Sequence, residues 1–365
     1  MTSDEQNFIE IKGVSKHFGD VVAVDNVDLT IKKGELFSIL GASGSGKTTL
    51  LRILAGLEIP SQGSILIDGV DMTSVAPYDR PVNIMFQNYA LFPHMSVFEN
   101  IAYGLKKEGL QKESIEEKVQ RMLTLVKLEG YENRKPNQLS GGQSQRVALA
   151  RSLVKEPKVL LLDEPMAALD KKLRQSTQFE LMDIHYELGI TFVIVTHDQE
   201  EAMTLSDRIA IMEQGQFVQI GSPNLIYENP RSKFVADFLG NINLFEAIIT
   251  EQNDKEIVVD CAALGGELKF DQTEQANASE MTVALRPEKV MIEKNMPTND
   301  DQSHIKGIVE DFGYFGNLSI YRVKTESGHV IQVSKQNRDR VEQSIKWEDE
   351  VYLSWDNDSL MLLGE

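Results

Sequence analysis

Gly41-Ala42-Ser43-Gly44-Ser45-Gly46-Lys47-Thr48 sets three glycines ahead of a lysine and a hydroxyl. The pattern, G-x-x-x-x-G-K-[ST], is suited to phosphate. Glycines let successive backbone N–H groups turn inward around phosphate oxygens. Lys47 then supplies a point charge for the β and γ phosphates, and Thr48 offers a hydroxyl to Mg2+. Thr49 completes this nucleotide-contact set. A helix read over Thr48–Ala55 adds the positive end of its dipole.

Val159-Leu160-Leu161-Leu162 is an apolar run that ends in Asp163 and Glu164. Parallel sheets bind ligands at such strand ends. Asp163 is expected to hold Mg2+ through water. Glu164 is expected to orient and deprotonate an attacking water, as a general base does. His197 follows the next apolar strand, Thr191–Thr196, and reads as a contact to the γ-phosphate and the attacking water. Gln87 lies at the seam between sheet-like and helical regions. Its amide suits Mg2+ or water, and a surface glutamine fits the spacing equally well. Phe18 leaves two readings open, a core aromatic or an exposed ring that stacks on adenine.

Leu139-Ser140-Gly141-Gly142-Gln143 precedes a helix read over Gln145–Val154. Ser140, Gly141 and Gly142 would offer backbone donors there, which suits a second phosphate. One chain already has a phosphate loop. The second site therefore makes sense if it serves the nucleotide of a partner chain.

These residues need a scaffold. Phe8–Lys12, Val21–Val24 and Leu36–Leu40 read as strands. Val159–Leu162 and Thr191–Val195 are continuously apolar, as in a sheet buried on both faces. Lys171–Leu188 lies between them as a helical crossover. Residues 88–155 look helical. Ser114 and Glu117 have capping-box spacing, followed by an apolar face of Ile115, Val119, Met122, Leu123 and Val126. Past residue 240 short alternating strands take over, including Ile257–Val259, Met281–Leu285, Val330–Val333 and Val351–Trp355. They predict a small barrel or sandwich. The expected organisation is an α/β P-loop cassette over 1–240, with a helical subdomain at about 88–155, and an all-β, OB-like domain over 241–365.

Net charge is -19 over 365 residues. Residues 1–240 hold 25 basic and 32 acidic side chains (-7), and residues 241–365 hold 12 and 24 (-12). That field repels nucleic acid and anionic lipid, so no nucleic-acid partner is expected. The acidic start Met1-Thr2-Ser3-Asp4-Glu5 is unlike a signal peptide, and no apolar run approaches the ~20 residues of a membrane span. The lone Cys261 rules out an internal disulfide and suits a reducing compartment.

With these pieces in order, the chain resembles the ATP-binding subunit of ABC transporters over its whole length. The likeness rests on the Walker A loop at 41–48, Gln87, the LSGGQ signature at 139–143, Walker B at 159–164, the D-loop Ala167-Ala168-Leu169-Asp170, and His197. It implies a head-to-tail homodimer that sandwiches two ATP molecules, with Mg2+, between the P-loop of one subunit and the signature of the other. Phe18 then maps to the adenine-stacking aromatic, and Asp170 joins the nucleotide set with Ser140 to Gln143. The resemblance also implies two transmembrane permease subunits and an external solute-binding protein. The ATPase would sit at the cytoplasmic face of the inner membrane, held there by the permease alone, with Tyr89–Met95 beside the permease's coupling helix.

Gly221-Ser222-Pro223 and Leu285-Arg286-Pro287-Glu288 look like importer ATPases that carry an OB-like, TOBE-type regulatory domain. Leu162 to Arg174 and Asn241-Ile242-Asn243-Leu244-Phe245-Glu246 are similar to the putrescine and spermidine branch. Iron, sulfate or sugar import is the alternative. Ala167 and Ser144 depart from common family residues, and neither removes a group the chemistry needs. A soluble ABC ATPase acting on ribosomes or DNA fits poorly with a single acidic cassette.

Overall fold

The chain's order of strands and helices follows from where its apolar runs lie, and the computed structural model describes residues 7–167, 169–271, 280–297, 302–338 and 345–364. Met1–Glu5 and Ala168, both used in the sequence reading, lie outside the described residues.

An antiparallel pair, β1 (Asn7–Phe18) and β2 (Val21–Lys32), leads into β3 (Leu36–Leu40), which is buried throughout. The phosphate loop follows, then α1 (Lys47–Leu54). β4 (Gln62–Ile67) and β5 (Val70–Asp71) complete an antiparallel sheet in the order β2-β1-β4-β5. A second, six-stranded sheet joins β3 to β6 (Val82–Met85), β7 (Val159–Asp163), β8 (Thr191–Thr196), β9 (Arg208–Glu213) and β10 (Gln216–Gly221), in the order β10-β9-β3-β8-β7-β6. All its pairings are parallel except β9 with β10. β3, β7 and β8 therefore end side by side, and their C-terminal ends carry Gly41, Glu164 and His197. This adjacency is what the parallel topology contributes to the site.

Between β6 and β7 come α2 (Val97–Lys107), α3 (Lys112–Leu125) and α4 (Gly141–Leu153). Their apolar faces share one core with β7 and β8, through Ile101, Val119, Leu123, Val147, Leu160 and Ile194. Ser114 does not cap α3. The helix starts three residues earlier, behind Gln111, and the Ile115 N–H already donates to the Gln111 carbonyl. A cap contributes only ~1 kcal/mol. Burying Ile115, Val119, Met122 and Leu123 counts for more and sets the helix length.

α4 also starts earlier than read, at Gly141 rather than Gln145. Ser140 accepts from the Gln143 N–H, and Gln143 reaches back to the Ser140 N–H, so a capping box closes the turn. α5 (Lys171–Leu188) is the crossover between β7 and β8, and α6 (Gln199–Leu205) follows β8.

The second compact unit begins at Leu225, earlier than the boundary read at 240. α7 (Pro223–Glu228) and α8 (Lys233–Phe238) bring most of their residues to it. Arg286 is the reason. Its buried guanidinium lies over the Tyr227 ring and donates to the Ala236 carbonyl at 3.0 Å. Tyr227 also hydrogen-bonds Glu288.

The rest of the unit is antiparallel. β11 (Asn243–Gln252), β12 (Glu256–Cys261), β13 (Gly266–Asp271) and β14 (Glu280–Leu285) precede β15 (Met291–Glu293), β16 (Gln302–Tyr314), β17 (Leu318–Thr325), β18 (Val330–Gln336), β19 (Glu350–Asp356) and β20 (Leu360–Leu363). They form two five-stranded sheets, β13-β12-β11-β14-β20 and β15-β19-β16-β17-β18. One core of Val259, Val283, Val323, Leu353 and Trp355 draws on both. Apart from α7 and α8 the domain is all-β and OB-like. Among the described residues no helix is long and apolar enough to cross a membrane.

Candidate nucleotide site

Backbone sterics shape the loop after β3. Gly46 adopts φ +105°, and a Cβ there would sit 2.2 Å from the Ala23 carbonyl oxygen. A Cβ on Gly41 would sit 2.3 Å from the Met212 carbonyl oxygen. Only glycine fits either place, so the chain turns tightly enough to aim its amides inward. Ala42, Ser43 and Gly44 form the exposed rim, and Ser45 is buried below.

Lys47, only 5% exposed, donates to the carbonyls of Gly41 (2.9 Å) and Ala42 (2.8 Å). Burial lowers its pKa, and Glu164 and Asp163 oppose that shift. A buried cation tethered to the rim of an amide-lined loop fits a polyanionic ligand such as a triphosphate.

Thr48 heads α1 and reaches across to Asp163 at the end of β7, with Thr48 Oγ1 3.4 Å from Asp163 Oδ1. Burial, and then the neighbouring Glu164 charge, raise the Asp163 pKa. Both causes favour a cation at this spot. Among the described residues no cluster of three or more His, Cys, Asp or Glu is placed to hold a metal. One hydroxyl and one carboxylate fit Mg2+, which keeps waters and takes its remaining ligands from phosphates.

Glu164 has φ +45°, a left-handed conformation rare for a side chain of this size, and its N–H donates to the Val195 carbonyl at 2.8 Å. Such strain costs ~1–3 kcal/mol and persists where surroundings impose it. It turns the carboxylate toward two groups. Gln87 Nε2 donates to Glu164 Oε2 at 2.7 Å, and His197 Nδ1 lies 3.0 Å from Glu164 Oε1. An acid, an amide and an imidazole thus meet at the end of the parallel sheet, next to the Thr48–Asp163 pair. The set can hold a water and take its proton.

Phe18 is 47% exposed at the end of β1, with Lys16 Nζ 4.9 Å from its ring centre. This settles the choice the sequence left open in favour of an accessible ring. Thr49 is half-buried beside Thr48. Ser140 and Gln143 spend their hydrogen bonds on the capping box and on Tyr131, so the signature forms its own cluster at the head of α4. Gly142 is packed there, since a Cβ would meet Leu173 Cδ2 at 3.1 Å. Asp170 caps α5 by accepting from the Leu173 N–H. Tyr89 is buried with its hydroxyl 3.4 Å from the Pro165 carbonyl, while Phe86, Ala90, Pro93 and His94 are exposed.

Sequence reasoning missed Arg151, whose guanidinium holds the Tyr89 and Ala90 carbonyls. It also missed Glu201 and Arg174 below His197. A charged residue on a helix gives no signal of such a partner. Two grooves, of about 660 and 670 Å³, belong to the C-terminal unit and contain none of the nucleotide groups.

A parallel sheet with a phosphate loop, strand-end acids and a capped signature defines a nucleotide-binding cassette. Residues 24–167 match the ABC transporter family and residues 283–363 match the TOBE domain. The putrescine transport ATP-binding protein PotG of Escherichia coli is 51% identical over 361 residues, spanning 97% of this chain and 94% of that protein. The spermidine/putrescine import ATP-binding protein PotA of Thermotoga maritima is 45% identical, spanning 97% of each. The dimeric post-hydrolysis structure of the ATP-binding cassette MJ0796, bound to ADP and phosphate, is 34% identical with a TM-score of 0.53, covering 59% of this chain and 98% of that one. The chain belongs to the ABC transporter ATP-binding proteins that carry a TOBE domain. It is an ABC ATPase and binds ATP.

Proposed function

We propose that the chain hydrolyses ATP in a two-chain sandwich to drive polyamine import, with putrescine or spermidine as solute. The observation that carries the hydrolytic part is the convergence of Gln87, His197 and Glu164 beside Thr48 and Asp163. The solute is supported by full-length likeness to importers named for putrescine and spermidine.

In this reading the loop from Gly41 to Thr49 binds the phosphates and Phe18 stacks on adenine. Lys47 neutralises the β and γ phosphates from its buried tether. Thr48 and Asp163 would hold Mg2+, and the Gln87 amide would serve the metal or a water. The metal supplies charge stabilisation to the transferring phosphoryl group. Glu164 takes a proton from the attacking water, and His197 orients that water and contacts the γ-phosphate. Ser140, Gly141, Gly142 and Gln143 present the start of α4 to the nucleotide of a second copy, with Asp170 beside the interface. MJ0796, which is solved as a dimer, supports this arrangement.

The partners are two permease subunits and an external binding protein, with membrane attachment through the permease alone at the cytoplasmic face. Exposed Phe86, Pro93 and His94 suit the coupling-helix contact better than buried Tyr89.

A tagged chain purified from its native cells in mild detergent tests the reading. Two multi-span membrane proteins should co-purify, and ATPase of that complex should rise with polyamine-loaded binding protein. Stimulation by iron, sulfate or sugar instead would replace the solute. Ribosomal or repair proteins with no membrane subunit would overturn the transport role.

A further inference from the structure

Behind Glu164 and His197 lies a small cavity of about 40 Å³, also bordered by Met166, Ala167, Arg174, Thr196, Asp198 and Glu201. Glu201 is 2% exposed. One of its oxygens, Oε2, accepts from the Thr196 hydroxyl at 2.5 Å. That hydroxyl accepts from the Asp198 N–H at 3.0 Å, and Asp198 in turn accepts from the Glu201 N–H at 3.0 Å. Thr196 and Asp198 flank His197 on either side, so this closed ring sets the backbone from which the imidazole projects. Arg174 braces it from α5 through an ion pair with Asp198.

Among the described residues, two polar atoms on this wall are buried without a hydrogen-bond partner, Glu201 Oε1 and Arg174 Nε. Each costs stability unless satisfied. The cavity exceeds the ~10–15 Å³ that a water needs, and buried water binds where several polar groups converge. One acceptor and one donor line a space of that size.

We infer that the cavity holds an ordered water between Glu201 Oε1 and Arg174 Nε, and that Glu201 is a positioning residue for His197. The charged and titratable groups facing Glu201 are Asp198, Arg174 and His197, with Tyr89 also within electrostatic range and Glu164 across the cavity. Burial raises the Glu201 carboxyl to about 7, so its ionisation changes near neutral pH.

The role rests on the ATP-hydrolysis reading, and the tests separate the two. A high-resolution crystal structure of the full chain should show a water bonded to both atoms; a dry cavity overturns the inference. In the full chain, Glu201→Ala should lower kcat about tenfold by loosening the His197 turn, with unchanged ATP affinity. Glu201→Gln keeps an acceptor for Thr196 and should recover kcat to within about threefold. It should also remove a near-neutral step from the wild-type kcat–pH profile. A Glu201→Ala chain that folds and keeps wild-type kcat, or a Glu201→Gln profile superposable on wild type, sinks the inference. If Glu201→Ala does not fold, the water and the Glu201→Gln profile still decide. A wild-type chain with no ATPase in any setting would instead sink the reading beneath it.

Discussion

Lys47 carries its charge where burial opposes it, and Glu164 and Asp163 are what oppose that shift. A phosphate would do so more strongly. Lys47→Ala should therefore weaken ATP binding by roughly 10- to 100-fold, the range for hydrogen bonds to charged groups. Equilibrium titration with a fluorescent ATP analogue reads this, and unchanged affinity would remove the loop as the phosphate site. Glu164→Gln keeps the hydrogen bond from Gln87 in reach and loses the base. Turnover should fall by about 10²–10⁴ while ATP binding persists, and the ATP-bound dimer should accumulate on size exclusion.

Glu201 links pH to stability. Its carboxyl binds a proton more tightly in the folded chain, at about 7, than at the ordinary 4.5. The folded state therefore holds more protons between those values, and stability falls as pH rises through that window. The cost is absent below 4.5, complete above about 7 and on the order of 3 kcal/mol. Glu201→Gln should abolish it. The variant's Tm advantage over wild type should grow from pH 4.5 to about 7; a constant difference would refute the assignment.

Among the elements, α4 ties the signature to the fold. Its capping box satisfies two N–H groups, and Gly142 packs on Leu173 of α5. Ser140→Ala should cost ~1 kcal/mol by thermal or urea melting, and should also lower cooperative ATPase if the same serine faces a second nucleotide. Loss of stability with unchanged ATPase would leave Ser140 a cap alone. The C-terminal ends of β3, β7 and β8 provide the complementary rigidity. Their parallel register brings Gly41, Glu164 and His197 together although they are far apart in sequence.

At the scale of the molecule, each unit has its own core. The first draws on residues between Phe8 and Ile220, and the second on residues between Phe245 and Leu362. A fragment ending near Asn224 should fold cooperatively and bind ATP, because it leaves α8 and most of α7 with Arg286 and the sheet they pack on. Circular dichroism with nucleotide titration checks this. An aggregated fragment would mean that the first unit needs residues past the boundary.

The sequence alone determined the kinds of chemistry and most of the elements. The octapeptide at 41–48, the acids after Val159–Leu162 and the LSGGQ segment are local patterns whose backbone demands are written in adjacent residues. β3 and α5 were legible to the residue for the same reason, through a short apolar run and a charged crossover helix. The start of α3 was not. A capping-box spacing at Ser114 competed with the burial of Ile115 and its companions, and burial is decided by neighbours distant in sequence. The same holds for the exposure of Phe18, the burial of Tyr89, the boundary at Leu225 and the Glu201–Thr196–Asp198 ring. Each depends on which surfaces are brought together when β3, β7 and β8 align or when Arg286 finds Ala236. Periodicity and spacing record a residue's relation to its own element, whereas contacts between elements exist only once the sheet order is formed.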